Sequence, residues 1–172
     1  MLIRNAEPSD AAEIEAVRVS AWQAAYTAFM PETYLANLDP TANVDSLNSR
    51  LKRQDSSFSC LVAERQGRVI GFSLVGSPRF PSNPSTAELW ALYVAPNAWQ
   101  DGVGTALLQR SLDLTSNQGF TTIKLWCIKG NAPAQRRYEA HGFAATGEER
   151  TTLALTGHPL HELCYSLNIS SM

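Results

Sequence analysis

The sequence is short of the features that mark several large protein classes. Its 172 residues include three cysteines, Cys60, Cys127 and Cys164, an odd number set far apart in apolar surroundings. Neither a disulfide frame nor a zinc site is expected, and the thiols read as buried in a reducing compartment. No apolar run approaches the ~20 residues of a membrane-spanning helix. The first residues, Met1-Leu2-Ile3-Arg4-Asn5, have no signal-peptide core, so the expectation is a cytoplasmic protein with no membrane partner. Charge is sparse and balanced: 14 Lys and Arg stand against 16 Asp and Glu, for a net charge of −2. Without a basic field, nucleic acid is not expected as a partner. Repeats and low-complexity segments are also absent.

What is present is enough for a core. With 44% apolar residues, a chain of this length buries roughly 70% of its unfolded surface, and residues 1–172 read as a single domain. Residues 2–5 look like a strand. Pro8-Ser9-Asp10 supplies cap chemistry for a helix reaching about Ala28, and shorter helical stretches begin at Pro31 and after Asp39-Pro40-Thr41. Residues 58–64 and 69–75 flank Gln66-Gly67, a hairpin signature. Pro81 and Pro84 argue for an irregular connection, and residues 87–94 form a nearly continuous apolar run, as in a central strand covered on both faces. Helix, strand, helix and two strands follow. The pattern is mixed α/β, with two helices placed as crossovers.

The most informative stretch is residues 94–108, VAPNAWQDGVGTALL. A buried strand delivers the chain to a turn holding Gly102 and Gly104, where backbone N–H groups can approach an anion at the start of a helix. A plain tight turn has the same spacing. The segment lacks the Gly-Lys-Ser/Thr ending of a P-loop, and the third glycine and distal acid of a dinucleotide-binding turn.

The strand, Pro96, Gly102-Val103-Gly104, then Asn131 and Tyr138-Glu139-x-x-Gly142-Phe143, resemble the GNAT family of N-acetyltransferases, and the order of elements fits over nearly the whole chain. The resemblance implies a GNAT-type mixed central sheet of about seven strands flanked by about four helices. It implies acetyl-CoA as co-substrate, no metal, and transfer of the acetyl group to a primary amine of a small molecule or peptide, directly within a ternary complex. A possible homodimer is compatible with it. In that family Gln100, Asp101, Gly102, Val103, Gly104 and Thr105 would wrap the pyrophosphate, Leu92, Tyr93 and Val94 would run beside the pantetheine arm, and Asn131 would bond that arm or cap its own helix. Trp99 stands where the family usually has Gln or Arg.

Acyl transfer to an amine needs a neutral amine, a polarised carbonyl and a proton for the departing thiolate. Tyr138 stands where the family commonly has a tyrosine that serves the leaving sulfur. Glu88 lies in an apolar strand at the distance where histone-type members carry a general base; an ion-paired glutamate at the strand's beginning is the equal alternative. Trp126 occupies the base position of members that act on ribosomal protein N-termini. On the acceptor side the resemblance points to Trp22, Tyr26, Tyr34 and His158 as substrate-binding candidates, while His158 and His161 lack a third ligand for a metal. Arg136 and Arg137 could reach an adenosine phosphate, although solvated arginines are commoner. The rival function is a catalytically silent acyl-CoA-binding or regulatory module.

Overall fold

Gln66 and Gly67 both take positive φ, 54° and 73°, the backbone twist that closes a two-residue hairpin. They join β2 (Phe58–Arg65) to β3 (Arg68–Gly76), and this ladder anchors the sheet. The computed structural model describes residues 1–53, 57–79, 83–153 and 156–170. The other strands are β1 (Leu2–Asn5), β4 (Thr86–Val94), β5 (Thr122–Ile128), β6 (Ala144–Thr152) and β7 (Leu160–Asn168). The helices are α1 (Ala11–Ala25), α2 (Glu32–Ala36), α3 (Val44–Lys52), α4 (Val103–Asn117) and α5 (Ala132–Ala140). The seven strands form one sheet in the order β1-β2-β3-β4-β5-β7-β6. Only β4 and β5 pair in parallel, as a helical crossover through α4 requires.

The mixed sheet of seven strands matches the expectation, with five α-helices among the described residues because the short α2 stands apart from α3. Helix α1 ends at Ala25 and not at Ala28; Phe29 and Met30 both donate backbone N–H groups to the Tyr26 carbonyl, and the turn buries Met30 against Trp22, Leu35 and Leu160. Strand ends differ from the sequence reading by a residue or two, the usual uncertainty of a boundary. The connection expected around Pro81 falls partly outside the described residues; at its end Asn83 Oδ1 accepts from Ser85 N at 2.9 Å.

Each face of the sheet has its own core. On one, α4 and Phe143 pack Leu108 and Leu112 against Leu89, Ile123, Leu125 and Cys127. On the other, α1 and α3 pack Ile14, Val17 and Leu47 against Phe58, Val62 and Phe72. At the sheet's edge Arg4 grips Asp10 at 2.6 Å and Glu64 at 2.8 Å, tying β1 to β2 and to the turn that opens α1. The guanidinium holds the Asp10 carboxyl below its ordinary pKa.

All three cysteines are free and buried, and burial pushes the Cys60 and Cys127 thiols up to about 12. The folded protein is therefore expected to leave a disulfide reagent such as DTNB unreacted at pH 8, where an ordinary thiol would be partly ionised. Denaturant should then release three titratable thiols; rapid reaction of the native protein would contradict the burial.

Candidate active site

Strands β4 and β5 pair only from Thr86↔Thr122 to Leu89↔Leu125, although β4 continues to Val94 and β5 to Ile128. Beyond Leu89 they part. At the same level β4 carries a bulge: Val75 pairs with Leu89 and Leu74 with Ala91, which leaves Trp90 as the extra residue. The parting opens a cavity of about 880 Å³ lined by Leu92 and Tyr93 of β4, Trp126 to Ile128 of β5, Asn131 and Tyr138 of α5, and Trp22 and Tyr26 of α1 and its end.

At the mouth of β4 a second, smaller cavity of about 180 Å³ is lined by Val94, Trp99, Gln100, Gly102, Val103, Gly104, Thr105 and Arg137. The two glycines serve it differently. Gly102, the N-cap of α4, has φ 77°, a left-handed conformation that costs an L side chain roughly 1–2 kcal/mol. Gly104 is there for room: a Cβ on it would stand 2.7 Å from Arg137 Nη1. Gln100 also takes positive φ, 69°. First-turn N–H groups of α4, their helix dipole and the Arg137 guanidinium thus converge on one small concavity, the donor set that a diphosphate requires. The Trp99 indole donates to Val94 O at 2.8 Å, a packing role for this departure from the family pattern. Asp101 does not line the concavity; it pairs with Arg65 of β2 at 2.9 Å, which offsets its negative charge beside an anion site.

Tyr138 packs edge-on against Phe143 with ring centroids 5.8 Å apart. Burial, reinforced by the neighbouring Cys127 and Tyr93, raises its phenol well above the ordinary value, so it stays protonated and keeps an O–H to donate. Asn131 caps α5, its Oδ1 accepting from Ala134 N at 3.4 Å, while it also lines the main cavity. Trp22 and Tyr26 line that cavity; Tyr34 packs behind it against Trp22 and Met30. His158 sits exposed in the β6–β7 turn, its N–H donating to Thr156 Oγ1 at 3.1 Å, and is not brought to the cavity.

Glu88 differs most from its candidate role as base. Its side chain is 0% exposed, and both oxygens are taken: Arg79 Nη2 and Nε donate to Oε1 at 2.6 and 2.9 Å, and the Arg79 backbone N–H to Oε2 at 3.0 Å. A carboxylate so engaged is held as an acceptor for Arg79, and it does not line the cavity. The arrangement is the ion-paired alternative, and the partner that offsets the burial lies nine residues earlier in the chain. Arg79, and not Glu88, lines the cavity, together with Glu148, Arg150 and Glu162. Among the described residues no group of three or more His, Cys, Asp and Glu is placed to hold a metal ion.

Arg79 and the β6–β7 carboxylates were not singled out from sequence; Arg137 was named only as one of two arginines that could reach an adenosine phosphate, and Trp126 only as filling the position of an absent base.

With this geometry in place, the comparisons with known proteins agree. Residues 11–143 match the acetyltransferase (GNAT) family model. A probable N-acetyltransferase of Mycobacterium tuberculosis is 29% identical over 168 residues, covering 96% of this chain and 92% of that protein. Among solved structures, ribosomal-protein-alanine N-acetyltransferase from Brucella melitensis superposes with a TM-score of 0.75 at 26% identity, covering 98% of this chain and 99% of that one. The PaiA N-acetyltransferase of Thermoplasma acidophilum, solved in complex with coenzyme A, shares the fold with a TM-score of 0.77 at 19% identity, covering 97% and 98%. The chain belongs to the GNAT family and is an acetyl-CoA-dependent N-acetyltransferase.

Two measurements test these assignments. Gly104→Val should push the flexible Arg137 end aside and fill the cradle, and Arg137→Ala should remove its charge. Either variant is expected to stay folded yet lose most of the stabilisation that a hundredfold excess of CoA over its Kd gives, about 2.7 kcal/mol; full retention in both would exclude the cradle. Glu88→Gln is expected to lower stability, toward the bottom of the about 3–5 kcal/mol of an interrupted buried pair because the Arg79 side chain is 44% exposed. Its pH–rate profile should run parallel to wild type. A rate defect that recovers as pH rises would reinstate Glu88 as the base.

Proposed function

We propose that the protein acetylates a primary amine of a small molecule or peptide by direct transfer within a ternary complex. The observation that carries this reading is the Tyr138 phenol on the wall of the cavity between the parted β4 and β5, with the Gly102–Gly104 cradle at the Val94 end of the same strand. Bound acetyl-CoA supplies the thioester whose acetyl group moves and whose thiolate leaves. Gln100, the first-turn amides of α4 and Arg137 hold the diphosphate, and the β4 backbone from Leu92 to Val94, without a strand partner on the β5 side, offers main-chain groups to the pantetheine amides. As the amine nitrogen bonds to the carbonyl carbon and the carbon–sulfur bond breaks, Tyr138 donates its O–H to the departing sulfur. The amine's proton passes to water in the cavity, whose wall carries Glu148 and Glu162.

Direct transfer is supported by the state of the one cysteine on the cavity wall. Cys127 is buried and its thiol is pushed up to about 12, so it is a protonated, poor nucleophile. The silent-module reading gives no reason for a phenol on the wall of the cavity that Leu92 and Tyr93 also line.

The test is Tyr138→Phe, which keeps the ring and its contact with Phe143. Binding of acetyl-CoA should persist while turnover in a thiol-release assay falls roughly 10²- to 10⁴-fold. Because burial raises the phenol, the wild-type kcat profile should show no descending limb from Tyr138 below about pH 10. Unchanged turnover in the variant would return Tyr138 to a packing role.

A further inference from the structure

On the acceptor side of the cavity Arg79 is matched by Glu88 and Arg150 by Glu162, which leaves Lys124 and Glu148 as one cation and one carboxylate without ion pairs among the described residues. Ala87, Leu89, Leu125 and Cys127 face the α4 core, so Glu88, Lys124 and Trp126, which alternate with them, lie on the opposite face. Glu88 and Lys124 are direct partners across the seam between β4 and β5. Both Glu88 oxygens are taken by Arg79, while Lys124 makes no ion pair among the described residues. Two cations therefore stand beside one carboxylate that solvent does not reach. Two positions along β5, Trp126 Nε1 is buried without a hydrogen-bond partner, a state that costs about 1–3 kcal/mol unless something accepts from it. The Trp126 ring is held in place: the Arg150 guanidinium lies 4.3 Å from its centroid, and Glu162 accepts from Arg150 Nε at 2.6 Å. Arg79, Lys124 and Trp126 all line the same cavity as Tyr138.

We infer that the acetyl acceptor carries a carboxylate next to its primary amine, as an amino acid does, and that this carboxylate is bound by Arg79, Lys124 and the Trp126 indole N–H. The inference rests on the acetyltransferase reading and names the substrate class for that site. The charges favour it over a purely cationic acceptor. A polyamine or lysine-rich tail would bring no anion to Lys124, on a wall where Arg79 and Arg150 are already matched by Glu88 and Glu162. An amine without an anion would cover Lys124 and leave it unpaired in a drying cavity, which is unfavourable. A zwitterion satisfies both ends: its carboxylate meets Lys124, and its amine extends along the cavity toward Tyr138.

The probe is a panel of free L-amino acids of differing side chains, each paired with its own α-amide, together with spermidine. Turnover is read by thiol release from acetyl-CoA, and acetyl-CoA binding is read separately by thermal shift. The free acid is expected to exceed its amide by about tenfold or more in kcat/KM, the worth of one charge-assisted hydrogen bond, with spermidine behind both. In Lys124→Met the ratio should fall toward one through KM, while the acetyl-CoA shift is kept as the sign of an intact fold. Amides or spermidine that match the free acids, or a Lys124→Met variant that lowers both members of a pair equally, would overturn the anion site. If wild type fails to bind acetyl-CoA, it is the acetyltransferase reading that falls. In that case, or if no panel member turns over, the same pairs are titrated into the protein by calorimetry. Tighter binding of the free acid, weakened in Lys124→Met, supports the site, and absence of any preference overturns it.

Discussion

Beyond Leu89 and Leu125 the two central strands separate while each remains bound to its outer neighbour. Strand β4 keeps its antiparallel ladder to β3 as far as Gly71↔Val94, and β5 keeps its ladder to β7 as far as Ile128↔Glu162. The sheet thus stays whole on both sides of a gap, and the gap sets the rest of the site. Buried peptide groups need partners, and along residues 90–94 those facing β5 have none within the sheet. In the proposed function the pantetheine amides would supply them. The bulge at Trp90 falls where the strands begin to part, and it is fixed: the Trp90 ring stacks on Phe58 at 5.9 Å and its indole donates to Ser77 O at 3.1 Å. A separate core packs each face of the sheet beside this gap.

Polar groups then divide the gap between them. At its closed end Arg79 and Glu88 neutralise each other in a place where either charge alone would be costly. At its open end the donors are main-chain groups and one flexible guanidinium, so anion binding there needs little side-chain ordering. Between them the walls are aromatic, with Trp22, Tyr26 and Tyr93 in mutual edge contacts of 5.7 to 6.4 Å. A cavity built this way is polar at its ends and apolar in the middle, which suits a cofactor arm entering from one side and a small charged acceptor from the other.

What was legible from sequence was what neighbouring residues decide among themselves. The Gln66-Gly67 turn, the apolar run of β4, the left-handed Gly102 and the Asn131 cap are each local, and each sits where the sequence reading put it. What escaped was decided across the sheet. Glu88 looked anomalous in an apolar strand, and rightly so, but its explanation lies in Arg79, which sequence spacing does not place opposite it. Lys124 and Trp126 alternate innocuously along β5 until the pairing Glu88↔Lys124 shows which charges share a face. Gly104 was read as a close-approach glycine; that the approaching group includes Arg137 follows only from the way α5 lies over the start of α4.

The same burial that fills the gap with aromatics also favours one chemistry over another. Withdrawing a titratable group from water penalises its charged form, and here that acts alike on the Tyr138 phenol and the Cys127 thiol, each raised with desolvation as the largest cause. For the thiol the consequence is negative: the thiolate that would be needed for a covalent acetyl-enzyme is the disfavoured form. For the phenol it is positive, since a protonated hydroxyl is what a departing sulfur needs beside it. The wider separation from the leaving thiol, with an ordinary pKa near 8.5, makes complete proton transfer from Tyr138 less favourable than hydrogen-bond donation. In the proposed route the tyrosine would therefore act on the leaving group as a fixed hydrogen-bond donor, with the amine's proton passing to water. One environment thus weakens the nucleophile of a two-step route while keeping the donor of a one-step route in its working form.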